Sequence, residues 1–211
     1  MSLVTCQITI SLDGYAAGPN QSRENPLGEG AERLHEWAIK TDAWREQHGL
    51  AGGERDADSE VAEEVTRNVG AVIMGRNMFD HGRGDWDPEW RGWWGEDPPF
   101  HTPVYVLTHH PREPLEMDGG TTFHFVTDGA ESALEQARTA AGDRDVSIAG
   151  GASTVQQYLR AGLLDELYLH IAPVLLGAGE RLFDEVGDPT FEPVKVVASP
   201  AATHVKYRVV H

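Results

Sequence analysis

One segment constrains the fold more than any other. Val146–Ala149 is a short apolar strand. It runs directly into Gly150-Gly151-Ala152-Ser153, and a helix from about Thr154 to Ala161 follows, stopping at Gly162. A strand joined to a helix by paired glycines is a connection of open α/β sheets, where ligands gather beyond the carboxyl ends of the strands. A helix start offers unpaired N–H groups and a partial positive charge, and glycine lets a phosphate approach the backbone closely. The turn is neither Gly-x-Gly-x-x-Gly nor a Gly-Lys-Ser/Thr phosphate loop. Alone, it reads equally well as a tight connection without a ligand.

The rest of the chain repeats the strand–helix alternation. Val4, Cys6, Ile8 and Ile10 recur at period two and predict a strand over residues 3–10. Helical stretches are expected over Ala31–Ile39 and Asp42–His48, a mobile loop over 49–58 and a helix over Ser59–Asn68. Ala71–Met74 reads as a buried strand ended by Gly75. Residues 80–103, with Trp86, Trp90, Trp93 and Trp94 among Gly and Pro, read as a long ordered loop. Val104–Leu107 and Thr122–Val126 are predicted strands. Asp128 and Glu131 have capping-box spacing for a helix that runs to Ala141 and stops at Gly142. Leu167–Ile171, Val194–Ala198 and Thr203–Val210 are further strands, the last two joined by the turn at Ser199-Pro200-Ala201-Ala202. This order predicts one α/β domain over 1–211, with a helical and loop insertion at about 20–58 and no linker or repeat. Its mixed, mostly parallel sheet has helices on both faces, three layers in all, and a closing C-terminal β-hairpin.

Composition narrows the function. There are 34 acidic against 17 basic residues, for a net charge of -17. Such a surface repels nucleic acid and anionic lipid, so neither is an expected partner. A phosphate site must then be local, built from a few arginines or backbone N–H groups. No stretch is apolar and long enough to span a bilayer, and the start has no basic, apolar leader. The single cysteine, Cys6, rules out an intrachain disulfide and fits a reducing cytoplasm. Cys6 lies in a strand and is read as buried rather than nucleophilic.

Two further strand ends carry candidate chemistry. Arg76 follows Gly75 at once, where its fork can reach a phosphate or pair with one of the many acids. Asp13-Gly14 follows the first strand, and Asp13 either orients a substrate or holds its own loop by an Asx turn. His101, His109 and His110 lack the spacing of a metal site, so no metal is expected. His170 alternates with core residues and reads as a hydrogen-bonded sheet residue. The four tryptophans read as loop packing, with an aromatic cap over a substrate as the alternative. No Gly-x-Ser-x-Gly elbow is present for a hydrolase.

In sequence, Ile8-Thr9-Ile10-Ser11-Leu12-Asp13-Gly14-Tyr15 resembles the first strand and loop of the dihydrofolate-reductase-like superfamily. The resemblance is greatest to the branch of the C-terminal reductase domain of the riboflavin-biosynthesis deaminase-reductase. Val72–Phe79 resembles its Gly-Arg segment, Val146–Ser153 its double-glycine turn, and Asp165–Phe183 its C-terminal signature. The resemblance implies a central sheet of about eight strands with NADPH across its carboxyl edge. It implies that Gly75, Arg76, Asn77 and Met78 meet the adenosine 2′-phosphate and pyrophosphate. Leu107, Thr108 and His109 would lie beside the adenine end. Gly150, Gly151, Ala152, Ser153 and Thr154 would carry the pyrophosphate, and Asp13 and Gly14 would lie against nicotinamide and substrate, with Asp13 the candidate catalytic residue.

The implied activity is NADPH-dependent reduction of a C=N or C=O group in a small heterocycle, as in 5-amino-6-(5-phosphoribosylamino)uracil reduction in riboflavin biosynthesis. Residues 20–58 contain no Trp-x-x-Pro motif followed by an acid, which separates the chain from true dihydrofolate reductases. A dihydrofolate-like or xenobiotic reductase is the alternative enzyme. A non-catalytic nucleotide-binding protein, or a structural oligomer without ligand, is the alternative outside enzymes. Close relatives pair through strands near the C-terminus, which implies a homodimer.

Overall fold

The computed structural model describes residues 2–82 and 84–211. Its strands are β1 (Val4–Ser11), β2 (Tyr15–Ala17), β3 (Val69–Gly75), β4 (Pro103–Leu107), β5 (Leu115–Glu116), β6 (Thr122–Val126), β7 (Asp145–Gly150), β8 (Glu166–Ala172), β9 (Glu180–Arg181), β10 (Thr190–Ala198) and β11 (Thr203–Val210). The helices are α1 (Glu36–Ile39), α2 (Asp42–Gln47), α3 (Ala57–Thr66), α4 (Arg76–Phe79), α5 (Ala130–Ala141) and α6 (Ala152–Arg160). Nine strands form one sheet in the order β10-β11-β8-β1-β7-β3-β4-β6-β5, and β2 pairs with β9 in a small ribbon. The six strands from β8 to β6 are parallel, while β11 and β5 run antiparallel to their neighbours. The expected mixed sheet with a C-terminal hairpin is therefore present, with one strand more than the resemblance implied.

Alternation along the strands assigns the layers. Ala71 and Ile73 of β3 join Cys6, Ile148 and the buried faces of α5 and α6 in the largest core cluster. Val72 and Met74 point the other way, into a second cluster with Phe79, Val104, Val106 and Phe123, against which Trp86, Trp90 and Trp94 pack. On the same side, over β8 and β11, Trp37 of the helical insertion and Val61 of α3 pack on Tyr168 and Ala202. Cys6 is buried, and burial pushes its thiol up to about 12, which keeps it protonated and unreactive.

Local expectations fail in three places. Gly129, at φ 96°, takes the N-cap position of α5 with no side-chain cap, and the Asp128 carboxylate accepts only from Thr127 Oγ1. The capping box is thus not formed, because the cap falls one residue later than the Asp-x-x-Glu spacing requires. The helix expected over Ala31–Ile39 breaks at His35 into a 3-10 turn (Ala31–Leu34) and α1. The 49–58 segment is not a free loop: Glu54 exchanges backbone hydrogen bonds with Lys40 and Asp42 at 2.9 and 3.0 Å, and Asp56 caps α3 by accepting from Ser59 N. The short strands β2, β5 and β9 and the single-turn α4 were not anticipated. No helix among the described residues is long and apolar enough to cross a membrane.

Phe79 anchors the aromatic cluster. It is fully buried, with ring centroids 4.9 Å from Phe123 and 5.3 Å from Phe125, both edge to face. Removing a buried aromatic ring loses its transfer energy and leaves a cavity. Phe79→Ala is expected to lower unfolding free energy by about 3–5 kcal/mol in a urea titration.

Candidate active site

The three sequence motifs meet because β7 lies between β1 and β3. Parallel pairing sends all three strands in one direction, so Ser11, Gly150 and Gly75 end on the same edge of the sheet. β4 adds the Leu107–His109 segment beside them. This edge opens into a cleft of about 680 Å³, within the range of small-molecule sites. Gly75, Arg76, Asn77, Met78, Leu107, Thr108, His109, Gly151, Ala152, Ser153 and Thr154 all line it. Neither Gly150 nor Gly14 forms its wall.

Two glycines here are dictated by geometry. A Cβ on Gly75 would collide with Thr154 Oγ1, so the end of β3 and the start of α6 approach as closely as they do only without one. Gly150 adopts φ +117°, a conformation that L side chains rarely take. α6 starts at Ala152, two residues earlier than its apolar pattern suggests, with Gly151 as N-cap. The N–H groups of Thr154 and Val155 bond to Gly151 O at 3.0 and 3.2 Å, while the first turn faces the cleft.

Arg76 is the most informative side chain. Its guanidinium stacks over the Trp86 ring, 4.1 Å from the centroid. Trp86 is itself fixed by its indole N–H, which donates to His110 O at 2.8 Å. Nε and Nη2 of Arg76 are buried and have no hydrogen-bond partner among the described residues. Buried donors on a cation that go unmatched cost free energy, and an anion with several acceptor oxygens removes that cost. In a chain of net charge -17, a guanidinium that forms no ion pair among the described residues offers a local anion site. The residues present therefore fit a phosphate-bearing cofactor: a free guanidinium, an open helix start and glycine backbone on one cleft wall.

The opposite wall is held by a long-range ion cluster that sequence reasoning missed. Arg23 donates to both oxygens of buried Asp80, at 2.8 and 2.9 Å, and to Asp87 at 2.9 Å, and lies 4.6 Å over Trp90. Burial works against ionisation of Asp80, but the bonds from Arg23 and Gly82 N outweigh it and hold its carboxyl below the ordinary value. This fastens the Gln21–Leu27 wall to the tryptophan loop. The four tryptophans divide: Trp86 and Trp90 pack and bond to backbone, whereas Trp93 and Trp94 line the cleft. Thr9 and His35 also line it. His35 stands where the expected helix breaks, and the sequence pattern did not mark it.

Asp13 does not line the cleft. Its carboxylate accepts from Ser11 Oγ and from the backbone N–H groups of Leu176 and Gly177, at 3.1 and 2.7 Å. The Ser11 bond, against some burial, together with the two backbone bonds, lowers its pKa to about 2. It is a clamp between the β1–β2 loop and the segment after β8, ionised at neutral pH.

Comparison with known proteins follows from this geometry. The profile of the RibD C-terminal domain family matches residues 2–205. The chain belongs to this family. Among curated relatives it is 28% identical over 129 residues to the uncharacterized protein YyaP of Bacillus subtilis, covering 58% of this chain and 64% of that one. It is also 28% identical over 132 residues to YwjB of the same organism, covering 59% and 64%. The match thus spans less than two thirds of these relatives' length. Among solved structures, a Shewanella sp. PV-4 protein assigned to riboflavin biosynthesis superposes with TM-score 0.63 at 21% identity, covering 99% of both chains. RibD of Acinetobacter baumannii superposes with TM-score 0.60 at 18% identity, covering all of this chain and 59% of that one. Rib7, the riboflavin biosynthesis reductase of Saccharomyces cerevisiae, gives 0.53 at 15%, covering all of this chain and 89% of Rib7. At these identities the likeness is one of fold, and it bears out the expected architecture.

The Asp13 clamp has a pH signature. Its folded pKa is depressed, so its stabilising contribution is present above the unfolded value near 3.8 and is lost as pH falls toward about 2. Melting temperature measured from pH 5 to pH 2 is expected to fall less steeply in Asp13→Asn than in the wild type over that window.

Proposed function

We propose that the chain is an NADPH-dependent reductase acting on a C=N or C=O group of a small heterocyclic substrate. The activity is of the kind carried by 5-amino-6-(5-phosphoribosylamino)uracil reductases. One observation carries this reading: the buried, unpartnered guanidinium of Arg76 beside the Gly151–Thr154 helix start, in one cleft. Arg76 would hold the adenosine 2′-phosphate, the N–H groups of Gly151, Ala152 and Ser153 the pyrophosphate, and Leu107–His109 the adenine end. The cofactor supplies the hydride. What this chain contributes is position and a dry cavity. Gly75 and Gly151 admit close approach, Trp93 and Trp94 offer flat apolar faces, and the Arg23–Asp80 clasp keeps the far wall in place. Asp13, spent on its clamp, would act by holding the β1–β2 loop and Gly14 in place.

A structural neighbour supports the substrate class: a deaminase/5-amino-6-(5-phosphoribosylamino)uracil reductase of Thermotoga maritima, with TM-score 0.56 at 15% identity. A cytoplasmic homodimer completes the reading. Its support is the outer strand β10, whose Val194 and Val196 are 46% and 63% exposed at an unpaired sheet edge.

Two measurements test this. Titration with NADPH and NADH, followed by quenching of tryptophan emission, is expected to give tighter binding of NADPH. Arg76→Ala should cut that preference at least tenfold, the loss of one or two charge-assisted hydrogen bonds of about 1.5–3 kcal/mol. A folded sample that binds neither nucleotide would sink the reading. By sedimentation velocity, the wild type is expected at dimer mass and Val196→Lys at monomer mass, because a lysine on the edge strand opposes strand pairing.

A further inference from the structure

The two sides of β1 are unequal. Its pairing with β7 stops at Cys6, whereas its pairing with β8 runs on to Ser11. Beyond Cys6 no described strand pairs with β1 on the β7 side, and there Ile8 and Thr9 line the cleft. Ala16, Pro26 and Leu27 line it too, so its walls include apolar side chains. Thr9 is 5% exposed. The Trp37 indole N–H donates to Thr9 Oγ1 at 3.1 Å, and no described residue accepts from that hydroxyl in return. The space on the Trp37 side is filled. The Trp37 ring lies 4.6 Å from His170 and 4.7 Å from His204, His170 Nδ1 lies 2.8 Å from His204 Nδ1, and His204 Nε2 lies 3.0 Å from Asp58 Oδ1.

Proton counting leaves one donor over. An indole N–H can donate and cannot accept, so Thr9 Oγ1 is the acceptor in this bond. The hydroxyl keeps its own proton to give, and turning it toward Trp37 finds no lone pair there. His170 stands opposite Thr9 in the sheet register, yet its Nε2 has no partner within hydrogen-bond distance, so it does not take the proton either. A nearly buried hydroxyl whose proton has no acceptor is costly, and a ligand acceptor in the cleft removes that cost.

We propose that Thr9 determines substrate specificity: its hydroxyl donates to a carbonyl oxygen that projects from the edge of a planar substrate ring. The inference rests on the reductase reading and names the group of the heterocycle that the cleft selects. Because Thr9 is recessed, the acceptor must stand out from the ring. An exocyclic oxygen does so, whereas a ring nitrogen between two substituents does not. An amino group at the same place could give a proton to the second lone pair of Oγ1, but it would leave the Thr9 proton unmatched. A site built around a donor therefore discriminates against the ring that lacks the acceptor. Trp37 is a positioning residue, since its N–H fixes Oγ1. A hydroxyl that donates also accepts more strongly, so the carbonyl and the indole reinforce one another through Thr9.

The test is a titration of the full chain, with NADP⁺ present, by 6-aminouracil and by 2,4,6-triaminopyrimidine. The second ring carries amino groups where the first has its two carbonyls. Binding is followed on the tryptophan indole N–H signals in ¹⁵N–¹H correlation spectra, with Trp37 assigned by Trp37→Phe. In the wild type 6-aminouracil is expected to move the Trp37 signal downfield and to bind at least about fivefold more tightly than the triamine, the worth of one neutral hydrogen bond. In Thr9→Val, read on the Trp93 and Trp94 signals, that preference is expected to vanish. A merely structural loss would weaken both rings alike and leave the ratio unchanged. Thr9→Ser keeps the hydroxyl and is expected to keep the preference, so it decides together with the wild type if Thr9→Val does not fold. A Trp37 signal unmoved at saturation, equal binding of the two rings, an undiminished preference in Thr9→Val or binding of neither ring would each overturn the proposal. NADPH titration of the same sample judges the reductase reading separately. The expected ring preference without NADPH binding would leave the Thr9 contact standing and remove the reduction. NADPH binding with equal affinity for the two rings would sink this inference alone.

Discussion

The hydrogen-bonded placement of β7 between β1 and β3 governs the rest of the molecule. Three loops separated by more than sixty residues of sequence reach one edge only because these strands are parallel neighbours. The close approach of β3 and α6 at Gly75 then brings the start of α6 against the Arg76 segment. Without that contact the guanidinium and the helix start would belong to separate surfaces. The glycine is thus a packing requirement first, and the chemistry of the cleft follows from it.

Electrostatics explains how an acidic protein keeps a cation in its cleft unpaired with any carboxylate among the described residues. Arg23, Lys40 and Arg55 are each paired with carboxylates, whereas Arg76 lies over the Trp86 ring and forms no ion pair among the described residues. The indole face holds the charge without neutralising it. Arg112 sits in the same aromatic setting, 5.6 Å from the Trp86 centroid, and donates to Trp90 O at 2.7 Å. The tryptophan-rich segment is therefore an electrostatic enclosure as much as a hydrophobic one.

Much of this was legible in the sequence. Period-two alternation located β1, short apolar stretches marked the other long strands, and the strand–Gly–Gly–helix and Gly-Arg segments marked residues that do line the cleft. What escaped was short or distant. A two-residue strand such as β9 has no period to detect. The Arg23–Asp80 pair spans 57 residues and the Asp58–His204 pair 146, and no local pattern announces either. His170 was readable as a bonded sheet residue from its place among core positions, but its partner was not, because register across antiparallel strands is a property of the assembled sheet. The capping box failed for a related reason: spacing names residues able to cap, while the backbone decides where the helix begins.

The Arg23 clasp has a consequence for what can enter. Peeling residues 20–28 away from the tryptophan loop would strip a fully buried carboxylate, Asp80, of its counter-charge, which is far more costly than parting an exposed ion pair. A motion that carried the Gln21–Leu27 side of the cleft outward would therefore have to part that pair first.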